Sequence, residues 1–301
     1  MSEGERGRRL ARLAALRESG VDPFPARSGP RTPIAEVRDL YDGKDAEALE
    51  AEAPTAAVAG RVRAIRSFGK LAFLKLVESG IGIQVSIRRG EVPTDLFEFV
   101  EEIDVGDFLR VEGPVWRTQK GELTIALRSA DLLSKSLRPL PEKWHGLTDV
   151  EARSRQRHLD LIANPRAREV AVLRSRVTTA IRSVLDERGF LEVETPVLRP
   201  IYGGAAARPF TTHHHTLDQT LYLRISDELY LKRLVIGGLD RVYEIGRVFR
   251  NEGISRKHNP EFSMLECYQA YTDYGGMMDL AQLLIQETAG RVLGDTRIGY
   301  Q

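Results

Sequence analysis

The chain has 301 residues, 42% of them hydrophobic and 29% charged, enough to bury a substantial core in one large or two ordinary domains. Its 44 basic and 43 acidic residues leave a net charge of +1, which excludes a chain-wide electrostatic footprint for nucleic acid, so any such binding must come from local patches. One cysteine, Cys267, cannot form an internal disulfide and fits a reducing compartment. No stretch approaches the roughly 18 uninterrupted apolar residues of a membrane span. The opening "MSEGERGRRLARLAALRESG" has its apolar run broken by Arg12 and Arg17, unlike a signal peptide, so the cytoplasm is the expected compartment.

Residues 8–19 read as a short basic amphipathic helix, with Leu10, Leu13 and Leu16 between arginines, a docking helix with a solvated basic face. "DPFPARSGPRTP" (22–33) reads as an extended linker and 45–57 as an Ala/Glu-rich segment, so 1–57 form a helical lead and linker. From 58 to about 133 the pattern changes to short alternating segments: "VAGRVRAIRSFG", "KLAFLKLVES", "IGIQVSIRR", "DFLRVEGPVWRT" and "ELTIALRSADLL". A helical stretch near 93–103 falls between the third and fourth. Five strands with a helix in that place is the order of an OB-fold, although strand count alone does not separate it from other small barrels. A proline-bearing hinge follows at 136–148. Residues 149–188 read as helix, with apolar positions 170, 173, 177, 181, 184 and 185, ended by Gly189. "FLEVETPVL" reads as a strand with Pro196 near its end.

"RVFRNEGISRKHNPEFSMLECY" (247–268) packs three Arg, one Lys, one His, three Glu, two Phe and a Tyr into one segment. Residues 240–250 and 261–270 have strand character, and "NEGISRKHNP" between them carries turn formers and charge, so the whole reads as a long hairpin. A period of two puts Phe262, Met264, Glu266 and Tyr268 on one face and Ser263, Leu265 and Cys267 on the other. A carboxylate between aromatics suits a cation on an alkyl stem. Arg247, Arg250, Arg256, Lys257 and His258 suit phosphate, and Phe262 beside them offers a ring on which a base can stack. A salt-bridged hairpin at an interface is the bland alternative. The histidine run 213–215 invites a metal, but consecutive residues of an extended segment point to opposite faces, and no metal site is expected there.

At these residues the chain resembles a known family. "FRNEGISRKHNPEF" followed by "MLECY" resembles motif 2 of the class II aminoacyl-tRNA synthetases, in the form of the bacterial-type lysyl-tRNA synthetases. "RGFLEVETPVL" resembles motif 1, "GGAAARPFTTHHHTLDQTLYLRISDELYLKRLVIGG" the amino-acid-binding stretch, "ALRESGVDPFP" the N-terminal lead and "LRPLPEKWHGLTDVEARSRQRHLDLIANP" the hinge, so the resemblance covers essentially the whole chain. It implies an α+β protein: an OB-fold barrel at 58–135 that binds the anticodon, then the first part of a class II antiparallel sheet flanked by helices at 149–301. It implies a lysine–tRNA ligase, which joins lysine to ATP as lysyl-adenylate and moves it to tRNA(Lys). Arg250 would be the catalytic arginine on the α-phosphate, and ATP would meet Arg250, Glu252, His258, Asn259 and Phe262. Lysine would meet Gly204, Ala205, Ala206, Arg224, Glu228, Glu266 and Tyr268. The anticodon would meet Arg66, Phe73, Gln84 and Glu122, and motif 1 (166–196) would form a homodimer.

The chain departs from the family by stopping at Gln301, before motif 3, the carboxylates that hold Mg2+ and a second glutamate for the lysine ammonium. The resemblance therefore implies a fragment with little adenylation activity alone, and full-rate lysine-dependent ATP–pyrophosphate exchange by these residues would contradict it. The alternative is a non-catalytic tRNA-binding module carrying a truncated synthetase domain.

Overall fold

A computed structural model describes residues 3–140, 147–255 and 257–297. The expected hinge at 136–148 and Arg256 of the charged loop lie partly or wholly outside them. The chain divides into two compact units, Met1–Arg168 and Glu169–Gln301.

The first unit opens with α1 (Glu3–Glu18), α2 (Ile34–Tyr41) and α3 (Ala46–Glu52). Asp45 caps α3 by accepting from the Ala48 N–H at 2.8 Å. The sequence pattern does not single out α2; it begins directly after Pro33 and buries Ile34 and Val37. Then come β1 (Thr55–Phe68), β2 (Leu71–Glu78), β3 (Ile81–Arg88), α4 (Thr94–Glu101), β4 (Phe108–Arg117), β5 (Leu123–Ala126) and β6 (Ser129–Ser134). They pair in the order β1-β2-β3-β5-β4-β6, and β1 also pairs with β4, which closes the sheet into the expected barrel. Alternate residues fill it, among them Val62, Leu74, Leu76, Val85, Val111 and Ile125.

Two expectations are corrected in this unit, the single strand at 122–133 and the solvated basic face of α1. The segment 122–133 is two strands, because the chain leaves β5 at Leu127, whose N–H turns to the Ser86 carbonyl at 2.8 Å. A Cβ on Gly113 would fall on the Ala126 carbonyl oxygen, so this close crossing requires glycine. The extended stretch 22–33, without helix or strand, is tied down at its end: Thr32 N–H donates to Ala57 O at 2.7 Å, and Arg110 Nε donates to Pro30 O at 2.8 Å. The basic face of α1 is not simply solvated. Arg9 is buried and its Nη1 donates to the carbonyls of Val105 and Ser136, both at 3.1 Å. Arg12 pairs with Asp104 at 2.8 Å.

Beneath α1, the fully buried Lys135 ammonium holds Asp104 and Asp107, each at 2.8 Å. Burial alone would raise Asp104, but the hydrogen bond and charge of Lys135, with Arg12 and Arg9, outweigh it and hold the carboxyl below its ordinary value.

Helices α5 (Val150–Arg155) and α6 (Arg157–Ala163) precede α7 (Pro165–Asp186). The expected continuous helix 149–188 is thus interrupted twice, at Gln156 and at Asn164, whose extended backbone (φ −110°, ψ 105°) is what a following proline favours. Buried Asp160 ties the break together, accepting from Arg153, Arg157 and Asn164.

The second unit continues with β7 (Leu191–Glu192), β8 (Leu198–Arg199), β9 (Thr211–His214), β10 (Gln219–Leu223), α8 (Glu228–Ile236), β11 (Arg241–Phe249), β12 (Glu261–Gln269) and α9 (Tyr274–Leu293). The expected strand 190–198 survives only as two short pieces either side of Pro196. β7 runs parallel to β11, while β11 and β12 form the expected antiparallel hairpin, registered Glu244 to Glu266 and Val248 to Phe262. The rear of that hairpin carries Tyr243, Ile245, Leu265 and Cys267. They pack with Leu185 of α7, Leu280 of α9 and Phe190 as the core of the unit. Cys267 sits on this rear face, as its alternation requires, and burial pushes its thiol up. The apolar stripe of α7 is buried only in its last turns: Val184 and Leu185 are fully covered, whereas Val170 is exposed.

The ion cluster under α1 gives the first prediction. Lys135→Met leaves buried Asp107 without its cation and Asp104 with Arg12 alone, and should cost about 3–5 kcal/mol, read by urea denaturation at pH 7. Asp104 titrates low in the fold, so its contribution is present above about pH 4 and is lost as pH falls further. A variant as stable as the parent at pH 7 would contradict this account.

Candidate active site

The front face of the hairpin builds the site. Val242, Glu244, Gly246 and Val248 of β11 share it with Phe262, Met264, Glu266 and Tyr268 of β12, by the register of the pair. Phe262 and Glu266 therefore lie two alternations apart on one surface. At the loop end, the Arg250 guanidinium lies over the Phe262 ring, 5.2 Å from its centroid, and Arg250 Nε reaches the Ile225 carbonyl at 3.4 Å. One step along the chain from Ile225, Ser226 donates its hydroxyl to Glu266 Oε1 at 2.7 Å. The Asp227 N–H reaches the same oxygen at 3.1 Å, and the Tyr268 hydroxyl stands 3.4 Å from Oε2. Burial first, then the charges of Glu266 and Glu228, push the Tyr268 phenol well up, so it stays protonated.

Glu228 begins α8, where its N–H donates to Ser226 Oγ at 3.1 Å and its carboxylate meets Lys232 at 2.7 Å. Gly204 lies against this turn with φ +86°, and a Cβ there would come within 2.9 Å of both Ser226 Oγ and Glu228 Cβ. Ala205 is half-buried beside it and Ala206 is exposed.

Arg224 is placed differently from a ligand-contacting residue. It is 3% exposed, and its guanidinium is spent on the Arg247 carbonyl at 2.7 Å, on Glu244 and on Asp227 at 3.0 Å. It supports the wall from behind. A Cβ on Gly246 would fall inside that guanidinium, so Gly246 is a requirement that the sequence pattern does not reveal. Buried Arg199 joins the group, 3.5 Å from Asp227, with Nη1 donating to Ser226 O at 2.6 Å. Sequence reasoning missed Ser226, Asp227, Arg199 and Glu244 as well. The charged pair of residues before "ELYLK" was the available signal, since an Asp and an Arg meeting in an otherwise apolar region need partners.

Glu252, His258 and Asn259 all lie in the exposed connection between the strands. His258 Nδ1 is 2.8 Å from Ser255 Oγ, and the backbones of these two residues bond each other, making a small closed turn. Among the described residues, no hydrogen bond or ion pair joins these three to Phe262 or Glu266. The histidine run lies on β9 and its following turn: His213 Nε2 is 3.3 Å from Asp218, and the His213 and His215 rings are edge to face at 5.4 Å.

In the barrel, Arg66 of β1 is the cross-strand partner of Phe73, and Lys75 of β2 is that of Gln84. All four project from the outer face, with Gln84 donating to Thr124 Oγ1 at 3.0 Å. Phe68, 64% exposed, stands edge-on to Phe73 with centroids 6.3 Å apart. It was not singled out from sequence, although an aromatic at a hairpin tip beside Gly69 was visible. Glu122 is exposed at the start of β5, in the turn closed by Gly121 N–H to Thr118 O at 2.8 Å.

The chain thus combines a closed barrel with an exposed aromatic and basic face and a sheet whose front carries Arg250 over Phe262, with Glu266 on the same face. Two family models match the chain: "tRNA synthetases class II (D, K and N)" over residues 149–298 and "OB-fold nucleic acid binding domain" over 56–133. The chain belongs to the class II tRNA synthetases of that D, K and N group. More narrowly, it is similar to proteins named lysine–tRNA ligase. It is 52% identical over 293 residues to that of Carboxydothermus hydrogenoformans, covering 97% of this chain and 59% of that protein. The relatives from Moorella thermoacetica (51%, with 97% and 58% covered) and Magnetococcus marinus (49%, with 100% and 61% covered) are comparable. The chain thus spans about three fifths of the length of these curated relatives.

Asp227 supplies a pH prediction. Its carboxyl is pushed up to about 6 by burial, with Glu244 and Glu266 adding to burial and Arg224 and Arg199 opposing it. The folded form therefore holds this proton more tightly than the unfolded chain, whose value lies near about 4. Asp227's contribution to stability should fall as pH rises from about 4 to about 6. In urea denaturation at pH 4, 5, 6 and 7, the stability of Asp227→Asn relative to the parent should rise over that window. A difference that stays constant with pH would refute the assignment.

Proposed function

We propose that the chain is the anticodon-binding and motif 1–motif 2 portion of a lysine–tRNA ligase, which activates lysine with ATP and transfers it to tRNA(Lys) in the cytoplasm. The observation that carries this reading is the single face on which Arg250 over Phe262 lies two alternations from Glu266, with Tyr268 beyond. In the first step the lysine carboxylate oxygen attacks the α-phosphorus of ATP, the bond to the β,γ-phosphates breaks, and pyrophosphate leaves with the electron pair. Arg250 is the group placed to offset charge on the α-phosphate oxygens. In the second step a ribose hydroxyl at the tRNA 3′ end attacks the lysyl carbonyl and AMP departs. No side-chain nucleophile is required, so positioning and electrostatics supply the catalysis.

Glu266 and Tyr268 then receive the lysine ammonium, Glu228 the α-amino group, and Gly204, Ala205 and Ala206 border the substrate, with Arg224 behind them. Phe262 offers adenine the ring face that Arg250 does not cover. Glu252, His258 and Asn259 would reach ATP only if the exposed connection that bears them folds over it. The family implies Mg2+ with ATP, but among the described residues no group of His, Cys, Asp and Glu is gathered that could hold a metal ion, and no step here passes through one. On the barrel, Phe73 stacks on an anticodon base while Arg66, Gln84 and Glu122 make the polar contacts. The exposed Val170, Val172 and Leu191 of the motif 1 region fit a homodimer interface.

Two experiments test the reading. Glu266→Gln in the protein as its gene encodes it should raise the lysine KM in ATP–pyrophosphate exchange by about 100-fold, since an ammonium loses its charged partner at a desolvated site. An unchanged lysine KM would refute the amine assignment. Phe73→Ala should weaken binding of a tRNA with a UUU anticodon by about tenfold, the loss of one base stack, as measured by filter binding. Equal affinity of the parent for UUU and altered anticodons would argue against anticodon reading.

A further inference from the structure

The two oxygens of Glu266 are not equivalent. Among the described residues, Oε1 accepts two hydrogen bonds, from Ser226 Oγ at 2.7 Å and the Asp227 N–H at 3.1 Å, while Oε2 has the Tyr268 hydroxyl alone at 3.4 Å. A carboxylate has about four lone-pair directions, so Oε2 keeps the larger unmet capacity. The Ser226 hydroxyl has its direction fixed from the other side. It accepts from the Glu228 N–H at 3.1 Å, which leaves its one proton for Glu266.

The segment bearing this hydroxyl is immobilised. Arg199 Nη1 holds the Ser226 carbonyl at 2.6 Å, and Gly204 closes over Oγ with no room for a side chain. Asp227 occupies the N-cap position of α8 yet makes no capping bond; its side chain turns to Arg224 and Arg199 instead, and Ser226 meets the Glu228 N–H in its place. One hydroxyl therefore links both residues proposed to hold the two amino groups of lysine.

We propose that Ser226 is a positioning residue for the amine substrate: by saturating Glu266 Oε1 from behind, it presents Oε2 to the side-chain ammonium and sets the span between Glu266 and Glu228. The inference rests on the ligase reading above. Its consequence is selection by chain length. A diamino acid one methylene shorter, such as ornithine, meets both carboxylates less well while Glu266 is held in place, and the discrimination weakens when Glu266 is free to rotate.

The test uses the protein as its gene encodes it, with ATP–pyrophosphate exchange started by lysine or ornithine. Ser226→Ala should raise the lysine KM about tenfold with kcat and the ATP KM unchanged, and should lower the lysine-over-ornithine preference by a similar factor. A lysine KM and preference equal to the parent's would overturn the proposal. So would parallel losses in kcat, both KM values and melting temperature, which would mark a merely structural residue. If Ser226→Ala does not fold, Ser226→Cys, close in volume with a weaker donor, is measured in the same way, and the same outcomes support or overturn the proposal. Glu266→Gln separates the two levels. If it raises the lysine KM while the Ser226 variants behave as the parent, only the positioning role falls; if it too leaves the lysine KM unchanged, the ligase reading of the site falls.

Discussion

The second unit is organised around a guanidinium taken out of water. Arg224 is buried against the hairpin where only Gly246 leaves space, and it binds a strand carbonyl, Glu244 and Asp227 together. An ion in that position is tolerated only with its hydrogen bonds met, and removing one partner exposes the full desolvation cost of the other. Arg199 makes it a group of two cations against Asp227 and Glu244, and Glu266 at its rim adds a third carboxylate. Asp227 registers the imbalance, since its proton is held more tightly by burial and by the two neighbouring glutamates. A cation arriving at Glu266 would restore the balance. The same electrostatics that shape the wall are thus of the sign that the proposed amine substrate requires at its mouth.

That arrangement depends on the hairpin keeping its register. One face of β11 and β12 carries Tyr243, Ile245, Leu265 and Cys267 into a core with α7 and α9, and the other carries the ligand chemistry. A slip by one residue would exchange the two sets, placing Glu244 and Glu266 in an apolar core, so the hydrophobic face locks the polar face in place. Stability and the candidate site both follow from one alternation.

That alternation is why the hairpin, its faces and the placement of Cys267 could be read from the residues. The barrel was legible for the same reason, with five apolar runs in the right order. The errors fall where backbone detail outweighs periodicity. Asn164 before Pro165 broke the helical stretch read over 149–188 ahead of its apolar spacing at 170–185, and Pro196 broke a strand. Arg9 looked like one of several solvated arginines, yet it is the one that fits the carbonyls of Val105 and Ser136. The wall behind the site was illegible because Arg199, Arg224, Asp227 and Glu244 are separated in sequence. Charge on an isolated residue reads as surface until its partner is known.

The two ends of the proposed substrate path differ in how firmly they are built. Glu266, Ser226 and Glu228 are fixed by hydrogen bonds from three elements, β12, the turn before α8 and α8 itself. Glu252, His258 and Asn259 sit on an exposed connection whose bonds are mostly internal, such as Ser255 to His258. A site that must discriminate one methylene needs rigid carboxylates, whereas a triphosphate that must enter and leave as pyrophosphate is better served by groups that can close on it. Arg250 lies at the junction, with its backbone N–H bonded to the Pro260 carbonyl at 2.8 Å and its guanidinium resting on Phe262. Standing one residue past the end of β11, it is thereby anchored to the strand pair more firmly than the rest of the connection, which suits the proposed role of meeting the reacting phosphorus.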